Sequence, residues 1–385
     1  MTTARKIMLV AGESSGDTHA AKLVRALREI CPEDDLEFFG AAGPKMREAG
    51  VEAVVESDGL SIVGLTEIGR ALPMFVKAYR ALKQAAVARQ PGIAILVDFP
   101  EFNLRFAQAL KRRGITVVYY ISPQLWAWRK YRLSSVKKNV DLMLTILPFE
   151  KEWYRKNGFE KVKYVGSPLA REVHITRDKV AFCRDNGLDP AKPIIALLPG
   201  SREKEIARIW PVMSAAVREI DRRMPDVQFI VAVNSEHATR LVENSIDAIS
   251  ADIRPKVVLD QTYDALNAAD AAAVASGTAT LETGILGTPL VVVYKTSRIN
   301  YSVFEPMIDV PHYGLVNLIA GKRVAKELIQ SEFTAATLSD ELIRLLEPDV
   351  NSTMRAELKT AADSLGHGGA SKRAAEAILQ LLDKR

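Results

Sequence analysis

The chain has 385 residues, with 52 lysines and arginines against 47 aspartates and glutamates, which gives a net charge of +5. Its 48% hydrophobic and 26% charged residues exclude a disordered chain, a collagen-like fibre and a small disulfide scaffold. Domains usually span roughly 100–200 residues, so the length predicts two of them. The mild positive charge favours an acidic partner, and phosphate, nucleic acid and an anionic lipid surface all stay open.

The first predicted strand, residues 7–10, leads through a glycine-rich turn into a helix predicted over residues 18–30. The apolar run before the turn is too short for the core of a signal peptide, so we expect an unexported, cytoplasmic protein. Cys31 and Cys183 are far apart in the sequence, and we expect both to be reduced thiols.

Apolar strands alternate with helical segments along both halves of the chain. The further predicted strands cover residues 93–97, 116–120, 142–146, 194–198, 228–233, 257–259, 271–275 and 290–294. Nearly continuous apolar strands that alternate with helices are typical of parallel sheets covered on both faces. We therefore predict an α/β fold of two Rossmann-like, doubly wound domains that face each other across a cleft.

Three regions follow from this pattern. We expect an N-terminal domain over residues 1–168, a second domain over residues 169–351 and a helical tail over residues 352–385. Glycines interrupt the tail, and we expect it to pack back on the first domain.

The turn after the first strand is a candidate ligand site, because ligands of such sheets bind beyond the carboxyl ends of the strands. Ser14, Ser15, Gly16 and Asp17 precede the predicted helix, whose first N–H groups can bind an anion or a sugar. The turn lacks the G-x-G-x-x-G pattern of dinucleotide sites. An ordinary tight turn with a helix cap is the alternative.

Asp98 directly follows the predicted strand at residues 93–97. A carboxylate at the end of a strand can take a proton from a hydroxyl nucleophile, so Asp98 is a candidate general base. The alternative is that Asp98 caps the next helix. Asn103 is a candidate for holding either a loop or a substrate hydroxyl.

Trp126 and Trp128 lie among tyrosines and basic residues over residues 119–132. The pattern predicts stacking on nucleobases or sugar rings. The alternative is a set of core aromatic residues beside a solvated basic face. Arg129 begins a basic cluster that suits a phosphate-bearing substrate or an acidic membrane surface.

Two turns of the second half combine small residues with polar side chains. Ser276, Gly277 and Thr278 precede a predicted helix, where backbone N–H groups bind a diphosphate. Arg202, in Pro-Gly-Ser-Arg, adds a planar set of donors for the same charge. Glu282 lies inside the helix, where a carboxylate can bind two ribose hydroxyls. Helix capping with small-residue packing is the alternative.

Residues 60–76 are apolar, broken by glycine and followed by a basic amphipathic segment. They predict an acyl-chain site or a membrane-facing surface, with Leu65, Leu72 and Phe75 as candidates. A buried core helix is the alternative.

Because the chain has no Asp-x-Asp, no Walker A sequence, no nucleophile elbow and only five scattered histidines, we expect no metal and no cofactor.

The strings AGESSGD, DFPEFN, YYISPQLWAWR, LPFE, LLPGSR, SGTATLE and NLIAG occur in this order over residues 7–330. Together they resemble the lipid-A-disaccharide synthase family, inverting glycosyltransferases of the GT-B type. The resemblance implies transfer of 2,3-diacylglucosamine from its UDP-sugar to 2,3-diacylglucosamine 1-phosphate (lipid X). The products are the β-1,6-linked tetraacyl disaccharide 1-phosphate and UDP, in lipid A biosynthesis of Gram-negative bacteria.

The resemblance also implies partners and residue roles. It implies a peripheral location on the cytoplasmic face of the inner membrane and no nucleic acid, and it leaves a homodimer open. Asp98 matches the family's functional aspartate, and Asn317 matches its functional asparagine. Arg202 then contacts the diphosphate and Glu282 the ribose.

Three positions depart from the usual family strings: Ser167 replaces a common histidine, Val316 a proline and Glu101 an aspartate.

Two other classes of protein stay open at this point. A UDP-sugar epimerase or another UDP-sugar transferase fits the same nucleotide site, and a basic RNA-binding protein fits the tryptophan–arginine cluster.

Overall fold

The computed structural model describes residues 5–32, 36–58, 68–246, 255–297, 301, 310–366 and 368–383. The chain divides into two compact units, Met1–Pro168 with Gly368–Arg385, and Leu169–His367. Each unit contains a parallel sheet with helices packed against it, so the predicted α/β class with two Rossmann-like domains is confirmed.

The described strands of the first unit form one parallel sheet in the order β3-β2-β1-β4-β5-β6-β7. They are β1 (Arg5–Ala11), β2 (Leu36–Ala42), β3 (Glu52–Glu56), β4 (Ile93–Val97), β5 (Thr116–Tyr120), β6 (Leu142–Thr145) and β7 (Val162–Tyr164). The helices are α1 (Ser14–Ile30), α2 (Pro44–Glu48), α3 (Ile68–Arg89), α4 (Pro100–Lys111), α5 (Leu133–Asn139) and α6 (Pro148–Lys156).

The two faces of this sheet carry two separate cores. Along β1, Ile7 and Leu9 belong to the core that α1 covers. Met8 and Val10 point to the opposite face and belong to the core that α3 and α4 cover. Successive side chains of a strand alternate between faces, so a strand buried on both sides is continuously apolar, as the sequence shows.

The second unit repeats this architecture with the strand order β10-β9-β8-β11-β12-β13. Its strands are β8 (Ile194–Leu198), β9 (Gln228–Val233), β10 (Lys256–Leu259), β11 (Ala271–Ala275), β12 (Leu290–Tyr294) and β13 (Glu327–Ile329). Its helices are α7 (Leu169–Glu172), α8 (Lys179–Asn186), α9 (Glu203–Arg223), α10 (Glu236–Ile246), α11 (Thr262–Ala268), α12 (Thr278–Ile285), α13 (Leu315–Ala320), α14 (Ala335–Leu345) and α15 (Pro348–Asp363).

Each sheet reverses its strand order at one point, between β1 and β4 in the first unit and between β8 and β11 in the second. Ala11 pairs with Val97 at the first reversal, and Leu198 pairs with Val274 at the second. Ligands of open parallel sheets bind outside the carboxyl ends of the strands at such points. The fold therefore marks one candidate crevice in each unit.

The C-terminal tail is divided between the units. Met354 and Leu358 of α15 lie in the core of the second unit. The last helix, α16 (Ala370–Leu382), places Ala374 and Ile378 in the core that α1 covers. The expected tail boundary at residue 352 thus falls inside α15, because the apolar face of that helix completes the second core.

Within the ranges given above, no helix has the length and apolar character needed to cross a bilayer.

Candidate functional site

Asp98 lies at the strand-order reversal of the first unit, directly after β4, in a strained backbone. Asp98 has a φ of 47° and Phe99 a φ of 50°, both in the left-handed region that residues other than glycine rarely adopt. The Tyr119 hydroxyl and the Asn103 side-chain amide both donate to the Asp98 carbonyl oxygen, at 2.7 and 2.8 Å. Such strain is typical of functional positions that the surrounding structure holds in place.

Gly12, directly after β1, makes room for this turn. A Cβ atom built on Gly12 would lie 2.3 Å from the Phe99 ring, so the ring would have to move to admit it. The same ring stacks on Phe102 with centroids 5.6 Å apart and lies 6.0 Å from the Phe75 ring. The conformation of the Asp98 turn therefore depends on a glycine in the neighbouring loop.

The carboxyl group of Asp98 is suited to proton transfer near neutral pH. Burial raises its pKa to about 6, the negative charge of Glu13 adds to the rise, and the backbone N–H of Phe99 opposes it. A general base works best when its pKa is close to the working pH. A partly buried group with a shifted pKa at such a crevice is a candidate for catalysis.

The glycine-rich turn forms the first turn of α1, and its residues have different surroundings. Ser14 and Ser15 are exposed, and Gly16 is buried. Asp17 is buried and accepts the backbone N–H groups of Gly43, Lys45 and Met46 at 2.9, 2.9 and 3.1 Å.

Three protein donors thus occupy the Asp17 carboxylate at the start of α2, which is the helix-capping alternative, and its contact with the acceptor stays a prediction. The sequence pattern could not show this, because the donors lie more than 25 residues away along the chain. Ser14 and Ser15 keep the exposure that a ligand contact needs.

Asn103 is completely buried and holds a loop. Its amide donates to the carbonyl oxygens of Val97 and Asp98 at 3.2 and 2.8 Å. These two contacts fit the loop-holding role, whereas the amide oxygen of Asn103 is buried with no hydrogen-bond partner among the described residues, so a contact to a substrate hydroxyl stays a prediction.

The two tryptophans of the aromatic segment differ in exposure. Trp126 is buried, and its indole N–H donates to the carboxylate of Glu150 at 3.0 Å. Glu150 is buried as well, and burial raises its pKa to about 7. Trp126 is thus a core residue and not a surface for stacking. The sequence reasoning missed Glu150, although it belongs to the LPFE string.

Trp128 is 40% exposed, and the Arg129 guanidinium lies 4.0 Å from the centre of its ring. Arg129 and Arg132 both pair with Glu101 in the first turn of α4. Glu101 thereby neutralises part of the positive charge that the basic cluster offers to a phosphate. Trp128 remains exposed at the surface, whereas Arg129 is half-buried between Trp128 and Glu101.

The candidate residues for lipid contact do not share one environment. Leu65 lies outside the described residues. Leu72 is 58% exposed on α3. Phe75 is half-buried and packs on Phe99, so its ring belongs to the core beside Asp98 and not to an outer surface.

The second crevice is a pocket of about 750 Å³ inside the second unit. It brings together all five residues expected to bind the UDP-sugar, namely Arg202, Ser276, Gly277, Thr278 and Glu282. They come from the carboxyl ends of β8 and β11 and from the start of α12, as the strand-order reversal requires.

Arg202 lies at the start of α9 with its side chain 84% exposed. Its guanidinium is 3.5 Å from the carboxylate of Glu205, which also accepts the N–H groups of Ser201 and Arg202 at 3.4 Å. Exposed ion pairs of this kind contribute little to stability, so the guanidinium can exchange this partner for an anionic ligand.

The loop before α12 is held from a neighbouring segment. The Ser276 hydroxyl donates to the Tyr313 carbonyl oxygen at 2.8 Å, and the Leu315 N–H donates to the Thr280 hydroxyl at 3.1 Å. Gly277 has a φ of 154°, which suits glycine alone. The first residues of α12 line the pocket, and the first N–H groups of a helix have no partner within the helix.

Asn317, expected to be catalytic, is completely buried on α13. Its amide nitrogen donates to the Ala325 carbonyl oxygen and to Glu327 at 2.7 and 2.9 Å. Its amide oxygen accepts the N–H groups of Val324 and Ala325 at 2.9 and 2.8 Å. Every donor and acceptor of the side chain is thus used within the protein, which is typical of a structural residue, and the catalytic role of Asn317 stays a prediction.

Asn317 nevertheless affects the pocket through Glu327. The Glu327 carboxylate also accepts the N–H groups of Tyr313 and Gly314 at 3.0 and 2.8 Å. Tyr313 is the residue whose carbonyl oxygen accepts the Ser276 hydroxyl.

Among the residues that the structure describes, no group of three or more histidine, cysteine, aspartate or glutamate side chains is placed to hold a metal ion.

Comparisons with solved structures show the fold. The chain is similar to UDP-GlcNAc 2-epimerase from Neisseria meningitidis, solved with UDP-GlcNAc, with a TM-score of 0.63 and 13% identity over 97% of this chain and 100% of that one. The calicheamicin glycosyltransferase CalG4 gives a TM-score of 0.59 and 15% identity over 100% and 99%. Both belong to the class of two-domain α/β proteins predicted from the sequence.

Comparisons of sequence show the family. The model of the lipid-A-disaccharide synthetase family matches residues 7–381. Lipid-A-disaccharide synthase from Geobacter sulfurreducens is 39% identical over 384 residues, 100% of this chain and 99% of that one. The Myxococcus xanthus protein of the same name is 42% identical over 387 residues, 99% of each chain. This chain therefore belongs to the lipid-A-disaccharide synthetase family.

Proposed function

We propose that this chain is an inverting glycosyltransferase of lipid A biosynthesis. It transfers 2,3-diacylglucosamine from the UDP-sugar to the 6-hydroxyl of 2,3-diacylglucosamine 1-phosphate. The products are the β-1,6-linked tetraacyl disaccharide 1-phosphate and UDP. Membership of the family over nearly the whole chain supports this reaction, and the curated relatives carry the name of the enzyme.

The observation that carries the proposal is the pocket of the second unit. An exposed arginine, the N-terminus of α12 and a half-buried carboxylate line one cavity of about 750 Å³. Arg202 and the first N–H groups of α12 bind the diphosphate, since both offer donors and positive charge to an anion. Glu282 binds the ribose. The second unit thus takes the UDP-sugar.

Asp98 of the first unit is the general base in this proposal. It accepts the proton of the 6-hydroxyl while that oxygen forms a bond to the anomeric carbon of the donor sugar. The bond from the anomeric carbon to the diphosphate oxygen breaks, and its electron pair leaves with UDP. Arg202 and the start of α12 stabilise the negative charge that develops on UDP.

The first unit binds the acceptor and a lipid surface. Ser14, Ser15 and Trp128 are exposed candidates for the polar part of the acceptor, and the half-buried Arg129 beside Trp128 is a further one. On α3, Leu72, Met74 and Val76 are 58%, 36% and 41% exposed beside basic side chains, which suits peripheral attachment to the anionic cytoplasmic face of the inner membrane. Replacing Leu72 and Val76 with serine should weaken binding to anionic vesicles, whereas Val87→Ser near the far end of α3 should not.

The test is an assay with both substrates. Purified protein, UDP-2,3-diacylglucosamine and 2,3-diacylglucosamine 1-phosphate should yield the disaccharide phosphate and UDP, also in the presence of EDTA. Each substrate alone should give no disaccharide. An isomerised UDP-sugar formed without acceptor would identify an epimerase instead. RNA binding that falls steeply with salt, without sugar transfer, would identify the RNA-binding alternative.

A further inference from the structure

We propose that Tyr263 is a positioning residue that holds the Glu282 carboxylate for the vicinal hydroxyls of a ribose, so that the pocket selects ribonucleotides. This inference rests on the proposed function of the pocket and deepens it. Tyr263 belongs to none of the strings that carry the family resemblance, and the sequence reasoning did not single it out.

The contact between the two side chains is direct. The Tyr263 hydroxyl donates to Oε1 of Glu282 at 3.0 Å, both residues are half-buried, and both line the pocket. A donor on Oε1 fixes the rotation of the carboxylate. Oε2 and the second lone pair of Oε1 can then accept hydrogen bonds from a ligand.

The backbone of Tyr263 is itself fixed. The next residue, Asp264, is buried and accepts the backbone N–H and the hydroxyl of Thr176 at 2.7 and 2.6 Å. Asp264 also accepts Nε of Arg177 at 3.1 Å. Because α11 is anchored in this way beside Tyr263, the tyrosine hydroxyl has a defined position from which to orient Glu282.

The spacing along α12 identifies the class of ligand. Glu282 lies four residues after Thr278, which is about 6 Å along the helix axis. If the anionic group of a ligand lies at the start of α12, the hydroxyls that reach Glu282 must therefore lie about one sugar ring away from that group. The ribose of a nucleoside diphosphate fits this distance.

Burial raises the pKa of Glu282 above its ordinary value, the hydrogen bond from Tyr263 lowers the pKa, and the negative charge of Glu172 adds to the rise. Hydrogen bonds from ligand hydroxyls stabilise the ionised carboxylate in the same way as the bond from Tyr263 does. A site built to bind hydroxyl groups rejects ligands that lack them, since its own polar groups then stay unpaired. Without the tyrosine hydroxyl, the carboxylate rotates more freely and this selection weakens.

The experiment compares the affinities of the full chain for UDP and for 2′,3′-dideoxy-UDP by titration calorimetry. The wild-type protein should prefer UDP. In Tyr263→Phe this preference should fall by about tenfold, which corresponds to about 1.4 kcal/mol. Tyr131→Phe, at a tyrosine that is 68% exposed in the other unit, is the matched control and should keep the wild-type preference.

A folded Tyr263→Phe protein with the full preference for UDP would overturn the positioning role. Tyr263→Met, which also lacks the hydroxyl, replaces the phenylalanine variant if that variant fails to fold. A further check is Glu282→Gln, in which adding Tyr263→Phe should cause no additional loss of preference. If the wild-type protein bound neither nucleotide, the proposed nucleotide pocket itself would be wrong, which is a different result.

Discussion

The side-chain amide of Asn103 donates a hydrogen bond of 2.8 Å to the backbone carbonyl oxygen of Asp98. Asn103 lies on α4, and the Tyr119 hydroxyl from β5 reaches the same oxygen at 2.7 Å. Asp98 and Phe99 keep left-handed backbone angles because these two donors hold the turn between them. The orientation of the candidate base is thus set by residues that need not touch a substrate.

Gly12→Ala should disturb this turn. The new Cβ would lie 2.3 Å from the Phe99 ring, so the ring must move, and overpacking of this kind costs about 1–3 kcal/mol of stability. We expect a lower Tm and a larger loss of kcat, since Phe99 follows Asp98. Gly92→Ala is the control, because its Cβ would meet only Leu382, at 3.9 Å. Equal effects of the two substitutions would contradict the role of Gly12.

The pH dependence of turnover should report Asp98. Its carboxyl group must be ionised to accept a proton, and its pKa is raised to about 6. We therefore expect kcat/KM to fall as the pH drops through about 6. A profile that is flat between pH 5 and 8 would contradict the assignment of the base.

The same pKa predicts the effect on stability. The folded-state pKa of Asp98 lies above the ordinary value of 3.8, so ionising Asp98 costs stability. This cost grows between about pH 4 and pH 6 and has its full size above pH 6. Asp98→Asn should then raise the free energy of unfolding at pH 8, by up to roughly 3 kcal/mol, while it abolishes turnover. Chemical unfolding at pH 4 and pH 8 measures this, and the gain should be absent at pH 4.

Arg202→Ala should weaken UDP binding by about 10- to 100-fold, because charged hydrogen bonds contribute about 1.5–3 kcal/mol. The fold should be unaffected, since the side chain is 84% exposed. Arg222→Ala, at an exposed position near the far end of the same helix, should leave the Kd for UDP unchanged. Unaltered UDP affinity in Arg202→Ala would remove this residue from the diphosphate site.

Asn317→Ala should lower the stability of the fold, and a loss of turnover should come with that loss of stability. It leaves Glu327 and the N–H groups of Val324 and Ala325 without their buried partner, at a cost of about 2–4 kcal/mol. We expect a clearly lower Tm, measured by calorimetry. If Asn317→Ala kept the wild-type Tm and lost turnover alone, Asn317 would be catalytic after all.

The fold and the pocket followed from local patterns. The apolar strands and the helices between them predicted two parallel sheets, and polar residues within a few positions of the ends of β4, β8 and β11 marked the crevices. Arg202, Gly277 and Glu282 meet in one pocket because each lies at a strand end or in the helix that follows. A local pattern suffices where topology brings the ends of neighbouring strands together.

Other assignments depended on long-range contacts that no local pattern contains. Asp17 has the composition of a ligand contact but caps α2, and Asn317 matches a family string but bonds to β13 and the loop before it. Phe75 packs beside Asp98, although its segment reads as an apolar surface. Tyr263 stayed unnoticed because its partner Glu282 lies 19 residues away.

The anomeric configuration of the disaccharide tests the central claim most directly. If Asp98 deprotonates the acceptor and UDP leaves in the same displacement, the α-linked sugar of the donor must become β-linked. Proton NMR of the product formed by the wild-type protein should show a single β-1,6 linkage, and Asp98→Asn should form none. An α-linked product, or β-linked product formed by Asp98→Asn at the wild-type rate, would contradict the account.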